Sequence, residues 1–298
     1  MPLPPEVPPT ATGASPPPLR VVTTVLPVEL FTRAVVGSCA RVEPLLSAGA
    51  DPHQLPVSPQ LMARLQGADV VVLNGLGLEA SLQQLLTANG GRGPRRIEAA
   101  AGIAPLPQAP QDGDHHHADA HGHAANPHVW LDPRRAAAQV RTIRAGLVAA
   151  DPARAACFRG NADRFLSELE RLDRDLARQL APFAGRPILS FHDLAPYFAQ
   201  RYGLRSVSLV EGPEENPSVA DLQRLAAQLR SQRVQGLLVD PQNERRSFLA
   251  LADDLRLKRL PFDPIERASE AQARRPDHYL EAMRRNGAAV VSSFGPAN

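Results

Sequence analysis

Apolar and polar positions along the chain follow two alternating periods. Leu19 to Leu26, LRVVTTVL, is a β-branched run suited to a buried strand, and the following PVELFTRAVVG repeats apolar residues at helical spacing. RVEPLL predicts a second short strand that runs out into SAGADPHQLPVSP. In SPQLMARLQGA, Ser58 stands where a helix cap belongs and Pro59 takes the first helical position. DVVVLNGLG is continuously apolar and ends in glycines, as a strand covered on both faces does, and LEASLQQLLTAN is the next helix. PRRAAAQVRTIRAGLVAA is helical, and from Pro152 to about Leu180 the helical pattern runs unusually long, with Phe165, Leu169, Leu172, Leu176 and Leu180 on one face. Such a helix spans roughly 40 Å, enough to run between two lobes.

A second series follows. RPILSF, RSVSLV, QGLLVDP and RLPFDP read as strands, and DLAPYFAQRYG, SVADLQRLAAQLRSQ, RSFLALADDLR and DHYLEAMRRNGAAVVSS read as helices. This alternation predicts an α/β fold of two similar lobes with mainly parallel sheets, joined by one long rigid helix. The expected boundaries are a Pro-rich tether over 1–18 and a first lobe over 19–151 with a His-rich loop at 112–125. A linking helix over 152–181 and a second lobe over 182–298 complete the chain. The halves share a build but no clear sequence repeat.

Composition narrows the function. The 43% hydrophobic and 21% charged content is that of a folded globular protein. A net charge of +2 provides no broad basic field for a nucleic acid. No apolar run reaches the eighteen or so residues of a membrane span. The opening MPLPPEVPPTATGASPPP lacks the charged start and apolar stretch of a signal peptide, so the expectation is either a cytoplasmic chain or one whose leader was removed. Cys39 and Cys157 form no metal-spaced motif. A disulfide and two separate buried thiols both remain open.

Candidate chemistry lies with the histidines. Six of the nine fall in HHHADAHGHAANPH, residues 115–128. His53 follows the second strand, His192 ends RPILSF, and Asp263 ends RLPFDP. Ligands of open α/β sheets bind beyond the carboxyl ends of strands. His53, His192 and Asp263 occupy such places, and His128 sits in a connection able to reach them, two residues from each lobe. Three imidazoles and one carboxylate suit a divalent transition metal, zinc above all. Four protein ligands would hold the ion without an open position for a catalytic water. Asp132 and Asp193 are candidate partners for the histidine rings. His278, in the first turn of a surface helix, reads as structural. The competing reading makes each histidine an ordinary hydrogen-bonded loop residue and Asp132-Pro133 and Asp263-Pro264 plain turns or caps.

The ordered set AGADPHQLPVSP, NPHVWLDP, SFHDLAPYFAQRYGL, PSVADLQRL, DPQNERRS and LPFDPIE resembles the metal-binding solute-binding proteins of ABC uptake systems, cluster A-I, most closely the zinc-binding ZnuA-like branch. The resemblance covers the chain from about Leu19 to its end. It implies a clamshell of two α/β lobes tied by a rigid helix, with Zn2+ held in the cleft between them as transported cargo. His53, His128 and His192 match the three histidine ligands, and Asp263 matches the C-terminal carboxylate, with Asp51 or water as rivals for the fourth position. The histidine in SFHD, where manganese-type relatives carry glutamate, favours zinc. The implied role is extracytoplasmic, periplasmic or membrane-associated capture of zinc for an ABC permease by a monomer that is not an enzyme and takes no nucleic-acid partner. Mn2+ or another divalent ion on the same fold is the alternative. A zinc hydrolase lacks an HExxH motif or evident general base here. His115, His116, His117, His121 and His123 have no apolar anchor around them and are expected to form a weaker secondary metal site beside the cleft; a tolerated low-complexity insertion is the rival.

Overall fold

The computed structural model describes residues 17–47, 49, 58–88, 93–106, 125–210, 234–241 and 246–295, with the isolated positions 223, 226, 227, 229 and 230. The tether up to residue 16, residues 112–124 of the expected loop and most of the helix expected over SVADLQRLAAQLRSQ lie outside the described residues.

Two four-stranded sheets carry the fold. Strands β1 (Arg20–Thr23), β2 (Arg41–Pro44), β3 (Val70–Leu73) and β4 (Arg95–Glu98) lie in the order β2-β1-β3-β4, every pair parallel. Strands β5 (Pro187–His192), β6 (Arg205–Val210), β7 (Gly236–Val239) and β8 (Lys258–Pro261) repeat that order as β6-β5-β7-β8, again all parallel. Parallel neighbours require crossover connections, so helices cover the faces and the central strands β3 and β7 are apolar throughout. All four residues of β3 and all four of β7 are buried. Strand β4 escapes the hydrophobic pattern because Ile97 is its one buried residue; pairing with β3 makes it a strand.

Among the described residues the helices defined from end to end are α1 (Leu26–Val36), α2 (Pro59–Gln66), α3 (Ala80–Ala88), α4 (Pro133–Ala150), α5 (Ala155–Leu180), α6 (Pro196–Arg201), α7 (Arg246–Asp254), α8 (Glu270–Ala273) and α9 (Asp277–Phe294). Ser58 caps α2 as its sequence predicts, its side chain accepting the Leu61 N–H. Helix α5 is the long linker, 26 residues flanked by single 3-10 turns. Its buried stripe, Phe158, Phe165, Leu169, Leu172, Leu176 and Leu180, belongs to one core that runs from Val21 of the first lobe to Val290 of the second. The helix is therefore packed along its length rather than strung between lobes.

Three features fasten it. Cys39, just past α1, and Cys157, in the first turn of α5, form a disulfide across 118 residues. Asn161 donates from Nδ2 to the Val35 carbonyl (3.1 Å) beside that link. In the second half, the buried Asp173 accepts from Arg134 of α4 and from Arg201 of α6, joining linker, first lobe and second lobe at one carboxylate.

Candidate metal centre

In each sheet the chain leaves the inner strand to one side and returns on the other, which opens a crevice at the strands' carboxyl ends. His192 is the last residue of β5, at the crevice of the second sheet. In the first sheet the corresponding place follows β3, where Asn74 begins a turn. Buried Glu79 accepts the Asn74 N–H (2.7 Å), the Gly75 N–H (3.0 Å) and the Thr24 hydroxyl (2.6 Å), fixing that turn. Burial pushes the Glu79 carboxyl up, and these donors pull it back in part. Asn74 then donates from Nδ2 to the Pro127 carbonyl (3.2 Å) and accepts from Gln139 Nε2 (2.8 Å). The NPH segment is thereby seated over the first crevice.

His128 leads into the 3-10 turn Val129–Leu131. Trp130 in that turn is buried and donates its indole N–H to the Pro264 carbonyl (2.8 Å), while Tyr279 O–H donates to the Trp130 carbonyl (2.6 Å). These bonds bring the segment after β8 against the histidine of the other lobe. The outcome is a buried group of His128, His192 and Glu266 whose ligand atoms all lie within 4.8 Å of one another. The His128 and Glu266 side chains are 3% and 9% exposed, with Nε2 3.1 Å from Oε1. The two imidazole centroids are 5.4 Å apart. Zinc–ligand bonds of about 2.0–2.1 Å at tetrahedral angles would place donor atoms about 3.3 Å apart. The donor set suits such an ion, and the His128–Glu266 pair stands near that spacing.

The carboxylate of this group is not the expected one. Asp263 lies outside the cluster: its Oδ1 accepts the Ile265 N–H (2.7 Å), its backbone pairs with the Asn286 side chain, and its Oδ2 is 3.8 Å from Arg285. Burial raises its carboxyl, against the pull of the Ile265 N–H and of the charges on His278 and Arg285. In DPIE the aspartate closes a turn, with Ile265 at φ 61°, and the turn carries Glu266 to the cleft. The strand-end position therefore selects Asp263, whereas the buried cluster takes the glutamate of the same motif.

The remaining predicted residues divide. His53 and Asp51 lie outside the described residues, as do His115, His116, His117, His121 and His123. Asp132 caps α4 by accepting the Arg134 N–H (2.8 Å), the plain cap its Asp-Pro sequence allows. Asp193 accepts from Asn126 Nδ2 through its carbonyl and its carboxylate. His278 does sit in the first turn of α9, yet it is 2% exposed rather than superficial, and neither ring nitrogen has a hydrogen-bond partner among the described residues.

A family profile described as the periplasmic component A of a zinc-uptake complex (ZnuA) matches residues 21–293. The zinc-binding lipoprotein AdcA of Streptococcus pneumoniae is 30% identical over 285 residues, covering 94% of this chain and 57% of that protein. The chain thus spans little more than half the length of that curated relative. The crystal structure of Zn(II)-bound AdcA from Streptococcus pneumoniae superposes with a TM-score of 0.79 at 28% identity, covering 95% of this chain and 59% of the other. FpvC from Pseudomonas aeruginosa in complex with Mn2+ gives a TM-score of 0.79 at 25% identity, covering 93% and 98%.

Proposed function

This chain belongs to the zinc-uptake complex component A (ZnuA) family, and from that premise we propose that it captures Zn2+ between its lobes and delivers it to an ABC permease. The observation that carries the reading is the convergence of His128 from one lobe with His192 and Glu266 from the other, buried and with ligand atoms within 4.8 Å of one another. His53, in the family-like turn AGADPHQLPVSP, is the proposed third imidazole, and Glu266 takes the carboxylate position in place of Asp263. The His-rich stretch, His115 to His123, is proposed as a weaker accessory site.

Ligand chemistry favours zinc over manganese. Solved relatives of equal structural similarity hold different ions, so the fold does not discriminate. Imidazole-rich donor sets suit zinc, whereas manganese prefers carboxylate, carbonyl and water oxygens. Four protein ligands would complete a closed tetrahedral site, suited to holding an ion and not to activating a water. The disulfide supports an oxidising, extracytoplasmic setting.

Competition against a chelating zinc indicator tests this on the wild type and on His128→Ala, His192→Ala and Glu266→Ala. Each variant is expected to lose most of the tight site, with manganese a poor competitor. Tighter manganese than zinc, or an unimpaired His192→Ala, would refute it.

A further inference from the structure

Asn126, two residues before His128, is 1% exposed and makes more contacts across the lobe junction than a loop residue needs. Its Oδ1 lies 3.0 Å from the His128 backbone nitrogen and 3.0 Å from the His128 ring Nδ1. Its Nδ2 faces the Asp193 carbonyl (2.5 Å) and the Asp193 Oδ2 (3.2 Å). Its main chain is pinned as well: the N–H donates to the Leu106 carbonyl (3.1 Å), and its carbonyl accepts the hydroxyl of buried Tyr197 (2.7 Å).

These partners settle which way the carboxamide points. A backbone N–H can only donate, so the atom facing His128 N is the oxygen. A backbone carbonyl can only accept, so the atom facing Asp193 is the nitrogen. With both ends assigned, the atom beside the imidazole Nδ1 is an acceptor, and that bond forms only when Nδ1 carries the hydrogen. A hydrogen kept on Nδ1 leaves Nε2 as the nitrogen free to face an ion; it lies inside the ligand cluster, 3.1 Å from Glu266 Oε1, an acceptor that would share the ion with it.

We propose that Asn126 is the positioning residue of the metal site. Its oxygen selects the His128 tautomer whose Nε2 faces the ion, and its nitrogen ties that ligand to the residue following His192. A single side chain thus sets the orientation of one lobe's ligand and its distance from the other's. The inference rests on reading His128 as a zinc ligand, but the tautomer is a property of the metal-free protein and can be measured apart from zinc.

The test combines imidazole 1H–15N correlation spectra of the chelator-treated protein, with His128 assigned by its absence in His128→Ala, and zinc affinity by indicator competition with ZnCl2. The wild type should carry the His128 hydrogen on Nδ1. Asn126→Ala, shown folded by circular dichroism, should lose that signature and bind zinc about 10- to 100-fold more weakly, the usual cost of removing a partner behind a ligating histidine. Asn126→Asp keeps an acceptor for the ring while opposing Asp193, and should retain the Nδ1–H signature and regain part of the lost affinity. A wild-type His128 with no hydrogen on Nδ1, zinc affinity within threefold of wild type in Asn126→Ala, or an Asp variant no better than the Ala variant would each overturn the assignment. A wild type without tight zinc binding would instead defeat the metal reading, and the ring spectrum would still decide the role of Asn126.

Discussion

Replacing Asp173 by asparagine should loosen both lobes from the linking helix, and the size of the effect follows from its partners. The carboxylate accepts from Arg201 Nε (2.7 Å) and Nη2 (2.6 Å) in a bidentate pair, and from Arg134 Nε (3.1 Å). The side chains of Asp173 and Arg201 are 8% and 19% exposed, whereas Arg134 is 70% exposed. An exposed pair contributes about 0–1 kcal/mol, and breaking a fully buried pair costs about 3–5 kcal/mol. A bidentate pair of intermediate burial falls between these, so Asp173→Asn should cost about 2–4 kcal/mol. For a chain of this size that lowers Tm by roughly 3–6 °C. Burial raises the Asp173 carboxyl, but its bonds to Arg201 and Arg134 outweigh burial and hold it below the usual value. The stabilisation is therefore present above the unfolded pKa of about 3.9 and is lost as pH falls through the depressed folded value. Calorimetric melts of the chelator-treated proteins should show the full Tm gap at pH 7 and pH 5, narrowing below about pH 4. A gap under about 1 °C at neutral pH, or one that persists undiminished at pH 3, would refute the reasoning.

Other perturbations separate further features. Glu266→Gln should weaken zinc binding by about tenfold or more, about 1.4 kcal/mol, while Asp263→Asn stays close to wild type; equal losses would restore Asp263 to the site. A Cβ on Gly287 of α9 would lie 2.3 Å from Leu176 Cδ2, so Gly287→Ala should cost about 1–3 kcal/mol from overpacking less up to about 1 kcal/mol of helix propensity. In a Leu176→Ala background the same change should become neutral or favourable by urea melts, and identical values in both backgrounds would contradict the close approach. Burial lowers the His278 pKa against the pull of Asp263, so the unfolded chain takes up that proton first and stability falls as pH drops below about 6.5 towards the folded value. His278→Leu should remove that part of the pH dependence, and an unchanged profile would exclude it. Reducing Cys39–Cys157 should cost about 2–5 kcal/mol, and a Cys39→Ser, Cys157→Ser double variant with unaltered melts would show the link to be dispensable.

Much of the architecture was legible because it is written in periodicity. The apolar runs of β3 and β7, the cap at Ser58 and the long stripe of α5 each depend on local pattern, and each appears where that pattern places it. Strand β4 depends on a neighbour instead, since Ile97 is its single buried residue. The proposed ligands show the same division. His128 and His192 stand at element ends that sequence order identifies. Choosing between Asp263 and Glu266 requires knowing that Asp263 spends its oxygen on Ile265 and that the turn carries the glutamate inward. Burial of His278 was hidden because the helical face it occupies turns towards the core, which spacing near a helix start does not reveal.

The contacts between lobes also constrain how an ion can leave. Opening the cleft by a wide hinge would break the Trp130 bond to Pro264, the Tyr279 bond to Trp130, the Tyr197 bond to Asn126 and the Asn126 bonds to Asp193 together. Each hydrogen bond contributes about 1 kcal/mol, and several of these groups would also have to be rehydrated. The lobes moreover share one continuous apolar core along α5, which a wide swing would expose to water. Withdrawing Glu266 by a shift of the short turn after β8 disturbs fewer of the bonds between the lobes: the Trp130 bond to Pro264 and the contact with His128, together with the Ile265 N–H bond to Asp263 inside the turn. Among the described residues that turn also carries the one carboxylate of the cluster, whose negative charge would offset a bound cation. Local displacement of this turn would therefore weaken the proposed zinc site at a smaller structural cost than a wide hinge, leaving the lobes and the linking helix in place.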